Sequence, residues 1–303
     1  MKFYPSRTIT GKFKQDQFII VGDNGYISII KQNTAYVTKV GSHEWTDVIS
    51  ANGKYIAVSF NGYSTTSTDG LNWTSPVNIG FLGIKGVAYN NGVLVVCGIG
   101  GKVAFSTDNA ITWTVITVGK SYDDWRQGVT FGNGKFLISN KGRIAYSNDG
   151  MTWAGPVSVI INSNNEYWKT KVFTRVIYDG EKFCGIDGTS FFTSNDGLIW
   201  NTPILTHASQ QLFNITYGNG IYVAVGYTGD VTVSHDGNTW EAKQIGSYSF
   251  RGVTYGNGKY IAVGANGYYI ISKDNCNTWL RVALKDESGK TINSNLNGVY
   301  IIQ

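Results

Sequence analysis

A short motif recurs six times along the chain, and it limits the possible folds more than any other feature. Each copy begins with Ser-x-Asp and ends with a Trp six or seven residues after the Ser. We call these segments the Ser-Asp-Trp turns, and they cover residues 67–73, 106–113, 147–153, 194–200, 234–240 and 272–279. Self-similarity at a regular spacing is the signature of an architecture built from repeated units.

Glycines set the period of the repeat. One glycine precedes each Ser-Asp-Trp turn, and a seventh lies near the start of the chain. They are Gly25, Gly62, Gly101, Gly142, Gly188, Gly229 and Gly267. Neighbouring members of this series are 37 to 46 residues apart, so the sequence predicts seven units of about forty residues.

The last complete unit illustrates the predicted strands. Residues 253–255, 260–263 and 268–271 are β-branched or aromatic at most positions, and Asn257-Gly258 separates the first two runs. Asn-Gly between such runs is typical of a β-hairpin, because both residues tolerate a positive φ. A further strand after the Trp makes four per unit. Four-stranded units at this period predict a seven-bladed, all-β propeller occupying residues 1–303 as a single domain.

The two ends of the chain predict how the ring closes. Leu296-Asn-Gly-Val299 repeats the start of other innermost strands, such as Phe250-Arg-Gly-Val253. The first unit is convincing only from its second strand onward, so we expect residues 296–302 to supply its innermost strand and to join the two ends. An alternative is that residues 8–13 form that strand, and whether residues 1–16 form a strand or an anchor stays open.

The Ser-x-Asp-(x)-Gly-x-Thr-Trp pattern, found in six of the seven predicted blades, resembles the Asp-box, or bacterial neuraminidase repeat, of sialidase-like propellers. The resemblance covers nearly the whole chain, although Ala110 and Cys276 replace the Gly in the two longer copies. The first unit departs further, with Ile30, Gln32 and Tyr36 where Ser, Asp and Trp are expected. In that family the turns lie on the outer rim, away from the ligand face.

The rim position implies a structural role for the aspartates of the turns. Side chains of Ser and Asp accept hydrogen bonds from nearby backbone amides, and the Trp ring can bury apolar area between neighbouring sheets. The turns lack the alternating oxygen ligands of a calcium loop. We therefore expect packing and turn closure from Asp69, Asp108, Asp149, Asp196, Asp236 and Asp274.

Enzymatic chemistry finds little support in the sequence. Sialidases resemble one another in three arginines that hold a carboxylate and in an early Arg-Ile-Pro segment, which this chain lacks. Other glycoside hydrolases need two facing carboxylates. The candidates are Asp123, Asp124, Glu44, Glu166, Asp187 and Asp230, and the hydrolase hypothesis rests on Asp123 or Asp124 with Glu166. His43, His207 and His235 lack metal-binding spacing, and no nucleophile elbow occurs. We expect no enzyme, no metal and no cofactor, with a glycoside hydrolase as the alternative.

Irregular loops carry the predicted binding site. Strands in a blade alternate in direction, so the Asn-Gly turns and the Ser-Asp-Trp turns share one face of the propeller, and the irregular connections share the other. The three tryptophans outside the repeat lie in these connections. Aromatic rings beside polar groups suit sugar recognition. The predicted ligand-binding residues are Trp45, Tyr122, Asp124, Trp125, Arg126, Tyr167 and Trp168. For Trp45 and Trp125, packing between blades is the alternative.

Charge, cysteine content and hydropathy exclude several classes. The net charge of +5 comes from scattered residues rather than a basic stripe, so we expect no nucleic-acid partner. Three widely spaced cysteines fit neither a disulfide framework nor a metal site, and we expect buried thiols. No apolar run reaches the roughly 18 residues of a membrane span, and the first residues lack the apolar core of a signal peptide.

The preferred functional hypothesis is a non-catalytic binding or display module. The Asn-, Gly- and Tyr-rich composition, with Lys over Arg, is typical of a phage virion component such as a tail or receptor-binding protein. The expected partners are a cell-surface glycan or receptor and other virion proteins, and the expected location is the virion, assembled in the host cytoplasm. A structural or assembly propeller that binds another protein is a further alternative.

Overall fold

The chain forms a seven-bladed β-propeller in which every blade is a four-stranded antiparallel sheet. The computed structural model describes residues 17–31, 34–125, 127–140, 142–162 and 173–302. Within these residues the regular structure is almost entirely strand, and no helix is long and apolar enough to cross a membrane. The fold class predicted from the repeat is confirmed.

The strands of blades one to four follow the chain from β1 onward. Blade one contains β1 (Gln17–Gly22), β2 (Tyr26–Lys31) and β3 (Thr34–Lys39). Blade two contains β4 (Trp45–Ala51), β5 (Lys54–Ser59), β6 (Tyr63–Ser67) and β7 (Val77–Asn78). Blade three contains β8 (Val87–Asn90), β9 (Val93–Cys97), β10 (Lys102–Ser106) and β11 (Thr114–Thr117). Blade four contains β12 (Val129–Gly132), β13 (Lys135–Asn140), β14 (Arg143–Ser147) and β15 (Ala154–Ser158).

The remaining blades continue in the same order. Blade five contains β17 (Arg175–Tyr178), β18 (Phe183–Asp187), β19 (Ser190–Ser194) and β21 (Ile204–Leu205), and a separate parallel pair joins β16 (Ile160–Ile161) to β20 (Ile199–Trp200). Blade six contains β22 (Leu212–Gly218), β23 (Ile221–Gly226), β24 (Asp230–Ser234) and β25 (Glu241–Gln244). Blade seven contains β26 (Phe250–Gly256), β27 (Lys259–Gly264), β28 (Tyr268–Ser272) and β29 (Leu280–Ala283), and β30 spans Leu296–Ile301. Short 3-10 turns lie at Asp23–Gly25, Tyr227–Gly229 and Ala265–Gly267.

The ring closes as the sequence predicted, because β30 is the innermost strand of blade one. It pairs antiparallel with β1, with Ile20 opposite Val299. The alternative segment, residues 8–13, lies outside the described residues, and β30 occupies the inner edge of β1 that it would have needed. Closure gives blade one four strands like the other blades, and each innermost strand keeps a short edge that faces the axis.

Each interface between neighbouring blades has its own apolar cluster. The seven clusters each draw residues from two adjacent blades, including one across the closure, where Phe18 and Ile20 pack with Ile261 and Val263. Strands buried on both faces read as continuous apolar runs, such as Ile221 to Val225 in β23. The core is therefore distributed around the ring rather than gathered at one centre.

The Ser-Asp-Trp turns are closed by their own side chains. In the blade-four copy, Asp149 Oδ1 accepts the amide N–H groups of the second and third residues after it, at 2.8 and 2.7 Å. The Ser147 hydroxyl accepts the N–H of Gly150 at 2.8 Å. Gly150 has φ of 78° and faces Val93 and Val95 of the preceding blade, where a Cβ would meet Val95 at 2.8 Å. Both the positive φ and the close contact with Val95 favour glycine at this position, although Ala110 and Cys276 take the equivalent position in the longer copies, at φ of 65° and 69°.

Asparagines in the first hairpins bind the Ser-Asp-Trp turns of the next blade. Asn52 Nδ2 donates to Asn109 Oδ1 at 2.8 Å, and Asn219 Nδ2 donates to Asn275 Oδ1 at 3.2 Å. These bonds place the two kinds of turn on one face, which we call the turn face. The irregular connections occupy the opposite face, and the innermost strands begin there.

The three cysteines are unpaired and buried. Burial raises the pKa of the Cys276 thiol to about 12 and raises the pKa of Cys97 and Cys184 as well. A thiol that stays protonated is a poor nucleophile, so the cysteines contribute packing. Among the described residues, no group of three His, Cys, Asp or Glu side chains is arranged to hold a metal ion.

Candidate functional site at the mouth of the central channel

A cavity of about 590 Å³ opens on the irregular face, around the axis on which the innermost strands converge. We call it the channel mouth. Its wall contains the early residues of β4, β17, β22, β26 and β30, together with connecting residues such as Phe60 and Tyr227. The charged side chains that line it are Glu44, Asp47, Lys85, Arg175 and Arg251.

An ion pair crosses the channel between blades five and two. Arg175 Nη2 lies 3.7 Å from Asp47 Oδ2. The intervening innermost strands have glycine at the matching position, where Cβ atoms on Gly86 and Gly128 would come within 2.8 and 2.9 Å of Arg175 Nη1. The guanidinium therefore lies over two strands that lack side chains at that point. Glycine in these units makes room for the arginine of another unit.

Asp47 is held by its own backbone surroundings as well as by the ion pair. Its carboxylate accepts the N–H of Val48 at 2.9 Å and the N–H of Val87 at 3.3 Å. Burial raises the pKa of Asp47, and the Arg175 charge and these hydrogen bonds oppose that rise. The Nε of Arg175 is buried and has no hydrogen-bond partner among the described residues. The pair is thus incompletely satisfied on the arginine side.

A second arginine stands on the other side of the mouth. Arg251, in β26, is exposed, and its Nη1 donates to Asn297 Oδ1 at 3.2 Å. Asn297 Nδ2 in turn donates to Asp23 Oδ1 at 2.7 Å and to the carbonyl oxygen of Trp45 at 3.0 Å. The position of Arg251 is therefore connected to the strand that closes the ring.

Glu44 adds a carboxylate to the same opening. Partial burial raises its pKa, as does the nearby Asp23 charge, whereas the charges of Arg251 and Lys85 lower it. Glu44 thus lies within electrostatic range of both cations. The mouth combines positive and negative groups in a partly desolvated opening, where each charge has more effect than on open surface.

Aromatic side chains form one wall of the mouth. Phe213 and Tyr227 contact each other edge to face, with ring centroids 4.3 Å apart. Tyr227 lies in a 3-10 turn at the rim of the cavity and is 45% exposed. An exposed ring beside charged and amide groups can stack on the apolar part of a ligand while the polar groups receive its hydrogen bonds.

Two of the tryptophans predicted to contact a ligand are inaccessible. Trp45 and Trp125 are 0% exposed. Their indole N–H groups donate inward, to the carbonyl oxygens of Val40 at 3.2 Å and Val118 at 2.9 Å. This placement corrects the ligand-contact interpretation of both rings and agrees with the packing alternative, because each ring fills an interface between blades.

The other predicted residues do not lie in the channel mouth or fall outside the described residues. Tyr122 is 71% exposed, and the Lys120 ammonium lies 5.5 Å from its ring centroid. Asp124, two residues further along the chain, is half-buried. Neither lines the cavity. Arg126, Tyr167 and Trp168 lie outside the described residues.

The carboxylates considered for hydrolysis separate in the same way. Asp123 is buried and forms an ion pair with Arg143 at 2.7 Å, while it also accepts the N–H of Lys120 at 2.7 Å. These contacts give Asp123 a structural role. Glu166 lies outside the described residues. The two carboxylates that the structure does bring into one cavity are Glu44 and Asp47.

Of the charged residues that line the mouth, sequence reasoning named Glu44 as a candidate carboxylate and missed Asp47, Arg175 and Arg251 as site residues, although a usable signal was present. Gly-Val recurs at the start of the innermost strands, at Gly86, Gly128, Gly252 and Gly298. The remaining three units carry Asp47, Arg175 and Asn214 at that position. A departure from a repeat at a position that faces the axis marks a candidate site more directly than an additional tryptophan does.

No family model and no curated protein sequence matches the chain. Several solved structures share its fold. YCF48 bound to D1 peptide has a TM-score of 0.61 and 15% identity, covering 93% of this chain and 96% of that one. YCF48 from Cyanidioschyzon merolae has a TM-score of 0.60 and 16% identity, covering 85% and 94%. The computationally designed Ika8 protein has a TM-score of 0.58 and 12% identity, covering 95% and 93%. At these identities the likenesses establish the fold alone.

Proposed function

We propose that this chain is a non-catalytic binding module that receives part of its partner in the channel mouth. One observation carries the proposal: an open cavity of about 590 Å³ in which cations, carboxylates and the exposed Tyr227 ring converge. Concave sites with a few polar groups and an aromatic wall are typical of ligand recognition. The rigid ring of blades would hold these side chains in place.

The proposed partner is a cell-surface glycan or receptor, and the proposed setting is a phage virion, with other virion proteins as the anchoring contacts. Support for the setting comes from composition and from the Asp-box resemblance. Support for a sugar comes from Tyr227 and Phe213 beside amide and charged groups. The YCF48 structure contains a bound D1 peptide, so a propeller of this fold also accommodates a peptide, and an assembly role is a proposal of the same kind.

Binding of the purified chain to glycan arrays and to intact bacterial cells tests this function. We expect Tyr227→Ala to reduce binding about tenfold or more, since an exposed ring in a recognition site often carries much of the binding energy. Tyr122→Ala is the matched comparison, because Tyr122 is exposed on an irregular connection that does not line the cavity. Loss of binding in Tyr122→Ala with full binding in Tyr227→Ala would move the site to the 121–125 connection.

A glycoside hydrolase is the second candidate function. The observation that favours it is the presence of Glu44, whose pKa is raised, and Asp47 in one cavity with two arginines. The ion pair of Asp47 with Arg175 weighs against it, because a nucleophile or base must reach the sugar. Turnover of oligosaccharides that disappears in Glu44→Gln, with binding retained, would support the hydrolase and contradict the binding module.

A further inference from the structure

Arg251 is a cation for which the fold supplies a neutral partner. Its Nη1 donates to the side-chain oxygen of Asn297, and among the described residues no carboxylate lies within 4.0 Å of its guanidinium. A guanidinium has five N–H donors in a fixed fork. The side chain is exposed at the channel mouth, so the remaining donors can meet a ligand.

Asn297 is itself held in one orientation, with its side-chain oxygen towards Arg251. It is 9% exposed, and both of its described donor bonds come from Nδ2, one to Asp23 Oδ1 and one to the carbonyl oxygen of Trp45. With the amide nitrogen engaged in this way, the oxygen must face Arg251. Asp23 is anchored in turn by Asn295 Nδ2, which donates to its other oxygen at 2.8 Å. The Asp23–Asn297–Arg251 chain is therefore oriented along its whole length.

The charges of the mouth limit the ligand. Among the described residues, the cations Lys85, Arg175 and Arg251 line the cavity together with the carboxylates Glu44 and Asp47. Arg175 is paired with Asp47, whereas the described side-chain partner of Arg251 is the neutral amide of Asn297. An anion bound to Arg251 also meets the negative charges of Glu44 and Asp23, which disfavour a dianion more than a monoanionic carboxylate. A carboxylate also matches the fork of a guanidinium through two parallel hydrogen bonds.

We propose that the channel mouth binds a carboxylate of its partner on Arg251, and that Asp23, acting through Asn297, is the positioning residue for that arginine. The inference rests on the proposed binding function and names the chemical class of its ligand. The Tyr227 and Phe213 wall receives the apolar part of the same ligand. Because Asn297 belongs to β30, the strand that closes the ring also completes the site.

Small probes test the carboxylate directly. Glucuronate and glucose form one matched pair, and N-acetylglycine and its amide form a second, which distinguishes a sugar acid from a peptide carboxylate. We expect saturable binding of at least one acid by calorimetry or by NMR, with its neutral counterpart about tenfold weaker or more. Equal binding of acid and neutral probe, or no saturable binding of either acid, would overturn the inference.

Arginine variants locate the contact. Arg251→Gln keeps a hydrogen-bonding side chain and removes the charge, so acid binding should fall about tenfold or more. Arg281→Gln is the control, because Arg281 lies on the outer strand β29 and contacts Tyr248 and Tyr268 instead. Acid binding that survives Arg251→Gln contradicts the site even where Tyr227→Ala abolishes cell binding. That result would separate a failure of this inference from a failure of the binding function.

A double-mutant cycle tests the positioning role of Asp23. Asp23→Asn should weaken acid binding several-fold in the wild-type background and leave it unchanged in the Arg251→Gln background. Equal losses in both backgrounds would show a general structural effect and overturn the positioning role. Thermal unfolding confirms that each variant folds.

Discussion

The turn face and the channel mouth differ in how completely their polar groups are satisfied within the repeat. On the turn face, each aspartate of a Ser-Asp-Trp turn accepts hydrogen bonds from its own segment, as Asp149 does from Met151 and Thr152. At the mouth, Arg175 reaches across two blades to Asp47 and leaves its Nε without a partner among the described residues. The repeated residues therefore build the scaffold. A residue that departs from the repeat, such as Arg175, carries polar groups for which the scaffold does not supply every partner.

The largest expected effect is on the stability of the scaffold, and it comes from removing a buried tryptophan of a Ser-Asp-Trp turn. Trp200 is fully buried, donates to the carbonyl oxygen of Gly197 at 3.1 Å and packs on Phe173 with ring centroids 4.2 Å apart. Trp200→Ala should lower the free energy of unfolding by about 3–5 kcal/mol, because a large cavity is left between blades. Chemical denaturation measures it.

Trp73→Ala is the matched control for Trp200→Ala, since Trp73 makes the same bond to Gly70 but is only half-buried. We expect a smaller loss in that variant. Equal losses at the two positions would mean that the turn geometry, rather than burial of the ring, determines the contribution of the tryptophan.

The next effect concerns the mouth. Arg175→Met removes the cation beside half-buried Asp47, so the free energy of unfolding should fall by about 2 kcal/mol at neutral pH, less than for a fully buried pair because both side chains are partly exposed. The loss should shrink at low pH, where Asp47 becomes protonated. Denaturation at several pH values measures both effects.

The double variant Asp47→Asn with Arg175→Met tests whether the unpaired charge causes that loss. Asparagine retains an oxygen that can accept the Val48 amide at Oδ1, and only the longer 3.3 Å bond from Val87 to the second carboxylate oxygen is lost. Most of the stability should therefore recover in the double variant. A double variant as unstable as Arg175→Met would point to lost packing over Gly86 and Gly128 instead.

A smaller effect is the pH dependence of the stability that the turn-face aspartates contribute. Hydrogen bonds from the Thr152 and Met151 amides lower the pKa of Asp149 to about 2. A carboxyl whose folded pKa is depressed contributes stability above its unfolded pKa, near 3.9, and that contribution is lost as pH falls toward 2. Asp149→Asn should therefore cost less than about 1 kcal/mol at pH 6, and most of that cost should be lost near pH 2.

Glu287→Gln, at an exposed carboxylate outside the turns, is measured alongside to give the general effect of removing one surface charge. A cost for Asp149→Asn that is the same at pH 6 and pH 2 would show that the amide bonds do not require the charge of the aspartate.

The repeat predicted the fold because its signals are local. Asn-Gly turns, spaced glycines and strand-forming runs each act within one blade, and the match between residues 296–299 and other innermost strands identified the closing strand β30. The site could not be predicted from the same signals. Arg175 and Asp47 are 128 residues apart in sequence, and they meet only because blades two and five face each other across the axis.

Ligand contact was wrongly predicted for two tryptophans for the same reason, because their environment depends on another blade. Trp45 and Trp125 lie in irregular connections, which made them candidates for ligand contact, but a large ring at the start of an innermost strand gains more from burial between blades. Whether a ring faces the interface or the solvent depends on the neighbouring blade, which the local sequence does not specify. Tyr227 illustrates the converse, since it belongs to a turn of the repeat and remains exposed.

The smallest expected effect lies within the turn face. In the part of the chain that the structure describes, the tryptophan of one Ser-Asp-Trp turn lacks the indole hydrogen bond that the other five make. In the blade-three turn, the indole N–H of Trp113 donates to Ser64 Oγ of the preceding blade at 2.9 Å. Val231, in blade six, stands in the position equivalent to Ser64 relative to the blade-seven turn. Both residues have the same place in the strand pairing, Ser64 opposite Val58 and Val231 opposite Val225. The buried N–H of Trp279 has no partner among the described residues.

Val231→Thr should supply the missing acceptor for Trp279. We expect a change of less than about 0.5 kcal/mol in the free energy of unfolding, because the new hydrogen bond offsets the cost of burying a hydroxyl. In a Trp279→Phe background the same substitution should cost about 1 kcal/mol or more, since the hydroxyl then lacks its donor. Equal costs in the two backgrounds, measured by chemical denaturation, would show that the longer turns do not depend on this bond between blades.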